Sequence, residues 1–420
     1  MKPIWISLLG AMALAACGGN SNDNANSRTP VAVQFYGINP VSAWNEIAFT
    51  TVGATPAANA DLATVHLAMY DAVIAIARTH QPYAIRPITS TTGLGAVAMQ
   101  AATIEAAYRV LVGLAPAGGA SYETARTHGL AALADGDDKT RGTAIGAEVA
   151  AGMLALRAND GRSTVLAPYV PGTEPGQFLG VNPVLRILPS IRPFATQGHT
   201  QFRAPGPLAL GSVAYASDFN ETKTLAAANS TQRTAIQTEV ARFHTEPPGA
   251  FWARNLRQFA TASPNLADNA RLSAMIWTAY HDAVADCFES KYHYNFWRPT
   301  SAITLADTDG SDATAADATW TPVVPTPNHP EYPAAHGCAS GAVMEVVRSF
   351  YGTEKLQFTF NSATASTLPH AFESTEDLVK EIMNARVWGG MHFRTSNQHG
   401  ADLGKQVAQW VGNKHFQAVK

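Results

Sequence analysis

An all-α protein built as two related helical bundles is what this sequence predicts. Three observations carry that expectation. Apolar residues recur at helical spacing along most of the 420-residue chain, the composition is 46% hydrophobic with abundant alanine, and one helical stretch in the first half is echoed by another in the second.

In the first half, Thr55-Pro56 reads as a cap followed by a first turn, and Leu62, Val65, Met69, Val73 and Ile76 then fall on one stripe. Similar patterns cover about 96–114, 121–133 and 139–157, joined by short polar or glycine-containing turns that suit antiparallel neighbours. Residues 159–211 are rich in proline and glycine with little periodicity, which reads as a long connection or lid. Helical patterns resume at about 230–244, 249–263, 266–289, 334–350, 375–388 and 397–411, with an Asp- and Thr-rich loop at 307–321. The echo pairs Tyr70-Asp71-Ala72-Val73, Tyr83 and Arg86-Pro87 with Tyr280-His281-Asp282-Ala283-Val284, Tyr294 and Arg298-Pro299. A first bundle with its connection is thus expected over 31–210 and a second over 211–420.

The N-terminus reads as an address. Met1-Lys2, an apolar run from Ile4 to Ala13 and then Leu14-Ala15-Ala16-Cys17 resemble a bacterial lipoprotein signal of residues 1–16, with Cys17 as the lipidated residue. Residues 17–30 form a flexible tether, and Gly18 resembles sorting to the outer membrane, so a periplasmic-face, lipid-anchored protein is expected. No further segment reads as long enough to cross a membrane, which leaves the N-terminal lipid anchor as the expected membrane contact. Of the remaining cysteines, Cys287 and Cys338 are expected as buried free thiols, with one bridge as the alternative. A formal net charge of −3 without a basic run excludes a nucleic-acid partner.

Chemistry concentrates in three short pieces. Lys291 and Arg298 stand seven positions apart at the end of a helical pattern, offering an ammonium and a guanidinium fork to phosphate-like oxygens. Pro333-Ala334-Ala335-His336 pairs a rigid entry with small residues, so backbone N–H groups at a starting helix can face an anion. Arg386 and His392 flank the Gly389-Gly390 break, which adds a third cation and an imidazole. Elsewhere, the His329/His336 and His392/His399 pairs lack the H-E-x-x-H or C-x-x-C spacing of a zinc site.

In order and spacing, these pieces resemble the signature K-x6-R-P, P-S-G-H, S-R-x5-H shared by vanadium-dependent haloperoxidases and type 2 phosphatidic acid phosphatases. Lys291, Arg298, His336, Arg386 and His392 match it, together with Pro299 and Pro333. The resemblance implies paired four-helix bundles with the site in the C-terminal one. It implies vanadate as cofactor, bonded to His392, its oxygens held by Lys291, Arg298, Arg386 and the backbone at Ala334 and Ala335, with His336 as acid and base. Hydrogen peroxide and halide would be the partners in the reaction. His329 stands where family bromoperoxidases carry histidine and chloroperoxidases phenylalanine, and Phe288 where haloperoxidases carry an aromatic residue; these two imply a halide pocket suited to bromide or iodide. His293 and His399 read as structural.

The chain departs from the family pattern at Ala334, Ala335 and Ala385, where the signature has Ser, Gly and Ser. A lost hydroxyl donor to a charged group costs ~1.5–3 kcal/mol. Two rivals to the haloperoxidase therefore stand: a periplasmic acid phosphatase forming a phosphohistidine at His392, and an oxyanion-binding lipoprotein without catalysis. The organic acceptor and the oligomeric state, a homo-oligomer among the options, are not legible.

Overall fold

The structure, a computed structural model, describes residues 29–53, 55, 57–246, 248–364 and 368–419. The expected leader, Cys17 and the tether up to residue 28 lie outside the described residues, as does Pro56.

The expected helices of the first half are present as α2 (Ala58–Ala77), α3 (Ala96–Leu114), α4 (Gly119–Ala131) and α5 (Asp137–Arg157), preceded by α1 (Pro40–Val52). Then follow α6 (Val213–Ala226), α7 (Ala235–Phe243), α8 (Pro248–Ala260), α9 (Leu266–Tyr294), α10 (Pro299–Thr304), α11 (Ala335–Tyr351), α12 (Thr375–Trp388) and α13 (Arg394–Lys414). The sequence reading passed over α1 and α6. Each has a sound start: Asn39 accepts from Val41 and Ser42 and precedes a proline, and the Ser212 side chain accepts from the Tyr215 N–H. Residues 159–211 hold no α-helix, as expected.

Helices α2 to α5 form one bundle and α9, α11, α12 and α13 the other, with α2 packed on α9 between them. The echo in sequence corresponds to one device used twice. Asp71 on α2 accepts from three consecutive backbone N–H groups, Tyr83, Ala84 and Ile85, at 2.5, 3.0 and 2.8 Å. Asp282 on α9 likewise accepts from Phe194, Ala195 and Thr196 at 2.8, 2.7 and 3.0 Å. Each buried carboxylate thereby satisfies a turn that lies against its helix.

A second shared device is a helix pair in backbone contact. A Cβ on Gly142 or Gly146 of α5 would run into the carbonyl oxygens of Ala98 and Ala102 on α3, and one on Gly341 or Gly404 into those of Ala401 and Cys338 across the α11–α13 contact. Without side chains between them the axes close, so the residues at the ends of α11 and α13 are held firmly. We expect Gly404→Ala to force the pair apart and cost ~1–3 kcal/mol in denaturant unfolding.

Three findings correct the sequence reading. Cys287 on α9 and Cys338 on α11 are joined in a disulfide with Cα atoms 6.4 Å apart, rather than kept as free thiols; both helices deliver site residues, and that convergence brings the thiols together. By length and composition, α2 and α3 are apolar enough to cross a membrane, against the expectation that no segment was; 89% of the α2 window and 56% of the α3 window are instead buried inside the protein. Finally, a small sheet, β1 (Val31–Ala32), β2 (Leu356–Phe360) and β3 (His370–Phe372), accompanies the helices, with β1 parallel and β3 antiparallel to β2. Its β2 alternates buried and exposed residues, a period-2 pattern too short to stand out beside the helices. Because β1 pairs with β2, and Gln81 and Thr79 bond to Gln417 and Val419, the two halves interlock.

Candidate functional site

All five signature residues meet at the core of the second bundle. Lys291 comes from the last turn of α9, which ends at Asn295 in the left-handed conformation (φ 49°). Arg298 caps the start of α10, His336 lies in the first turn of α11, and Arg386 in the last turn of α12. After α12, Gly390 turns with φ 78° and no room for a Cβ beside Pro322, Ala226 and Trp320. The Met391 and His392 N–H groups then both donate back to the Arg386 carbonyl, at 3.0 and 3.3 Å, which swings the His392 ring inward.

Arg298 is the hub. Its Nε donates to the His329 carbonyl at 2.7 Å and its Nη1 to the Met391 carbonyl at 2.8 Å. Nη1 also lies 3.1 Å from His392 Nε2, and Nη2 lies 2.9 Å from His329 Nδ1. Lys291 places its Nζ among the carbonyls of Pro330, Glu331 and Pro333, so its ammonium braces the loop that leads into α11. Arg386 donates from Nη1 to the His244 carbonyl at 3.0 Å, while its buried Nε has no partner.

A residue that the sequence reading missed organises the histidine. Glu331, fully buried, accepts from His392 Nδ1 and the Phe393 N–H, both at 3.0 Å, on one oxygen, and from the Ser396 hydroxyl at 2.6 Å on the other. With its Nδ1 proton committed to that carboxylate, neutral His392 carries its lone pair on Nε2, facing the cations. Burial, reinforced by Arg298, Lys291 and Arg386, holds the His392 ring well below the usual histidine range, hence neutral. Burial pushes the Glu331 carboxyl up, against the pull of Ser396, Lys291 and Arg298. A signal was available: a glutamate inside the otherwise apolar Pro330-Glu331-Tyr332-Pro333 needs a partner once buried.

His336, half-buried, is the most open of the five. Burial of its ring, then Arg386, His244, Lys291 and Arg298, holds it neutral. Ala334 caps α11 without a side-chain hydrogen bond, so the helix begins with its amide donors free of competition from a serine or threonine hydroxyl. Ala335 opens the helix, and Ala385 is buried in α12 beside Arg386. His329 packs its ring against Phe288 with centroids 5.0 Å apart, and burial, then Arg298 and Lys291, keeps it neutral too. Of the remaining histidines, His399 takes the Tyr332 hydroxyl at 2.6 Å, and His293 is exposed. The connection 159–211 borders the site: Phe178 donates to the Asn295 carbonyl at 2.7 Å, and Trp297 to Gly176 at 2.8 Å.

Charge decides what such a site can hold. Lys291, Arg298 and Arg386 are buried together; burial, then Arg298, holds the Lys291 ammonium well below the usual lysine range, and the Glu331 carboxylate opposes that shift on Lys291 and on Arg298. Burial, with Arg298 next, lowers the Arg386 guanidinium to about 9, and burial lowers that of Arg298 to about 10. Cations pressed together in this way repel one another unless an anion joins them. The orphaned Arg386 Nε, the free helix start and the lone pair of His392 fit a tetrahedral oxyanion such as vanadate.

Residues 271–420 match the family model described as the VCPO second helical-bundle domain. Vanadium chloroperoxidase of Curvularia inaequalis is 36% identical over 98 residues, a stretch that makes up 22% of this chain and 16% of that relative's length. Among solved structures, the first bacterial vanadium-dependent iodoperoxidase superposes with a TM-score of 0.71 at 20% identity, covering 92% of this chain and 99% of that one. The holo-type bacterial vanadium-dependent chloroperoxidase does so with a TM-score of 0.69 at 15% identity, over 90% and 93% of the two chains. Residues 271–420 are therefore similar to the second helical-bundle domain of the vanadium chloroperoxidases, and the chain as a whole has the fold of the bacterial vanadium haloperoxidases.

Proposed function

We propose that this chain is a vanadium-dependent haloperoxidase that turns halide, hydrogen peroxide and a proton into hypohalous acid and water. One observation carries the reading: the buried cations Lys291, Arg298 and Arg386 gather at His392, whose Nε2 lies 3.1 Å from Arg298 Nη1 and whose Nδ1 is held by Glu331. Vanadate held there would supply an electrophilic centre that activates hydrogen peroxide toward two-electron oxidation of halide.

The rest is the work of side chains. His392 presents Nε2 as the ligand atom, held in that tautomer by Glu331. Arg298 and Arg386 hold the oxyanion, and Lys291 fixes the loop that delivers His336 while adding its charge. Neutral His336, the most open of the group, takes the proton from incoming peroxide and returns it to the leaving oxygen. Phe288 and His329 border the halide site; the polar ring of His329, bonded to Arg298, suits the larger and more easily oxidised bromide or iodide. Ala334, Ala335 and Ala385 leave anion binding to the backbone and the cations. We place the protein at the periplasmic face of a bacterial outer membrane, anchored through Cys17.

The test is a paired assay on protein freed of vanadate and then reloaded. Peroxide-dependent bromination of a phenolic acceptor is expected only after loading. Phosphate release from a monoester, inhibited by vanadate, would overturn the reading in favour of a phosphatase, and vanadate binding with neither reaction in favour of a binding protein.

A further inference from the structure

We propose that His244, His370 and Glu381 form a second metal site beside Arg386, built for a divalent transition metal and best suited to zinc. The three residues come from different elements: His244 from the end of α7, His370 from β3 and Glu381 from the middle of α12. One ligand atom from each lies within 4.8 Å of the others. His244 Nε2 and His370 Nδ1 both point at the same Glu381 oxygen, at 2.9 and 2.7 Å. Ligands at zinc–nitrogen and zinc–oxygen distances of about 2.0–2.2 Å in a tetrahedron stand roughly 3.3 Å apart, so these atoms need to separate by only some tenths of an ångström to admit the ion.

The surroundings have the form of a metal site's outer shell. Glu239 on α7 takes the far nitrogen of His370, Nε2, at 3.0 and 3.1 Å, the carboxylate–histidine arrangement that fixes a ligating ring with its other nitrogen turned to the metal. The Phe243 ring stacks on His370 with centroids 3.7 Å apart and planes 11° apart, and Phe251 meets the His244 ring edge-on at 5.3 Å. Two imidazoles and one carboxylate leave a fourth position on the side where His370 and Glu381 keep some exposure, 15% and 23% of their side chains. A dication there balances Glu239 and Glu381, whereas Mg²⁺ and Ca²⁺, which prefer all-oxygen ligands, do not suit two imidazoles.

The site is wired to the anion box through backbone. The His244 carbonyl is what Arg386 Nη1 holds, and Glu381 precedes Arg386 by five residues on α12. An ion that pins α7, β3 and α12 together therefore pins Arg386 as well.

The experiment titrates the full-length protein, first treated with a chelator, with zinc alone and follows binding by calorimetry and the melting temperature. One zinc per chain at micromolar or tighter affinity, with a rise in melting temperature, is expected; magnesium should give neither. His370→Ala and Glu381→Gln should each weaken zinc binding by about 100-fold or more. His392→Ala should leave it unchanged, which separates this site from the anion box. X-ray absorption on the zinc-loaded protein should register two imidazole nitrogens and oxygen. Absence of zinc binding to the wild-type chain, binding that survives both substitutions, or binding that disappears with His392→Ala would each overturn the proposal.

Discussion

On the proposed function, His392→Ala should abolish vanadate retention and lower halide oxidation by at least about 10³-fold, or ~4 kcal/mol of lost transition-state stabilisation. The expectation follows from geometry. His392 Nε2 is the lone-pair donor among the cations of this cluster, held there by Glu331 on one side and by the Met391 and His392 hooks onto Arg386 on the other. The cations would still attract an anion, but as a loosely held ion pair without a bond to a ligand atom. Equilibrium dialysis with vanadate, beside a bromination assay, checks both halves. His293→Ala, at an exposed ring outside the cluster, should behave as wild type. Normal vanadate binding by His392→Ala would dismiss the ligand assignment.

Glu331→Gln sets two effects of opposite sign against each other. Removing a negative charge from beside Lys291 and Arg298 favours any bound anion, so by charge alone the substitution tightens vanadate binding. It also breaks the carboxylate hold on His392 Nδ1 and lets the ring present either nitrogen. Loss of such an outer carboxylate commonly costs 10–100-fold in metal affinity or activity, and we expect that loss to win, because the bond to His392 is direct and buried whereas its charge is already shared among Lys291, Arg298 and the Ser396 hydroxyl. Vanadate titration should give about 10–100-fold weaker binding with the fold intact. Tighter binding would mean that the glutamate serves as a countercharge and leaves the ring's orientation to other contacts.

Much of this was legible in the sequence because the carriers of the signal are regular. Helices α3 and α12 run over the same residues that the apolar spacing picks out, and Lys291, Arg298, His336, Arg386 and His392 could be named because their spacings are local. What escaped depends on pairings between distant segments. Glu331 acquires meaning only when His392 and Ser396 reach it. The disulfide depends on where α9 and α11 cross, and the cluster of His244, His370 and Glu381 joins a helix end, a strand and a helix that share no motif. β1 and β2 find each other across the whole chain, which no local pattern announces. The echo between Asp71 and Asp282 was visible as letters, while its purpose, tying down a turn with one carboxylate, required the turns themselves.

The bridge between Cys287 and Cys338 has a consequence for survival. If the proposed function holds, the released hypohalous acid would bathe the protein's own interior in an oxidant that consumes thiols before almost anything else. With these two sulfurs already joined between the helices that bear Lys291 and His336, no reduced cysteine remains among the described residues to be destroyed by the product. On the proposed function, the bridge leaves the protein pre-oxidised against its own product.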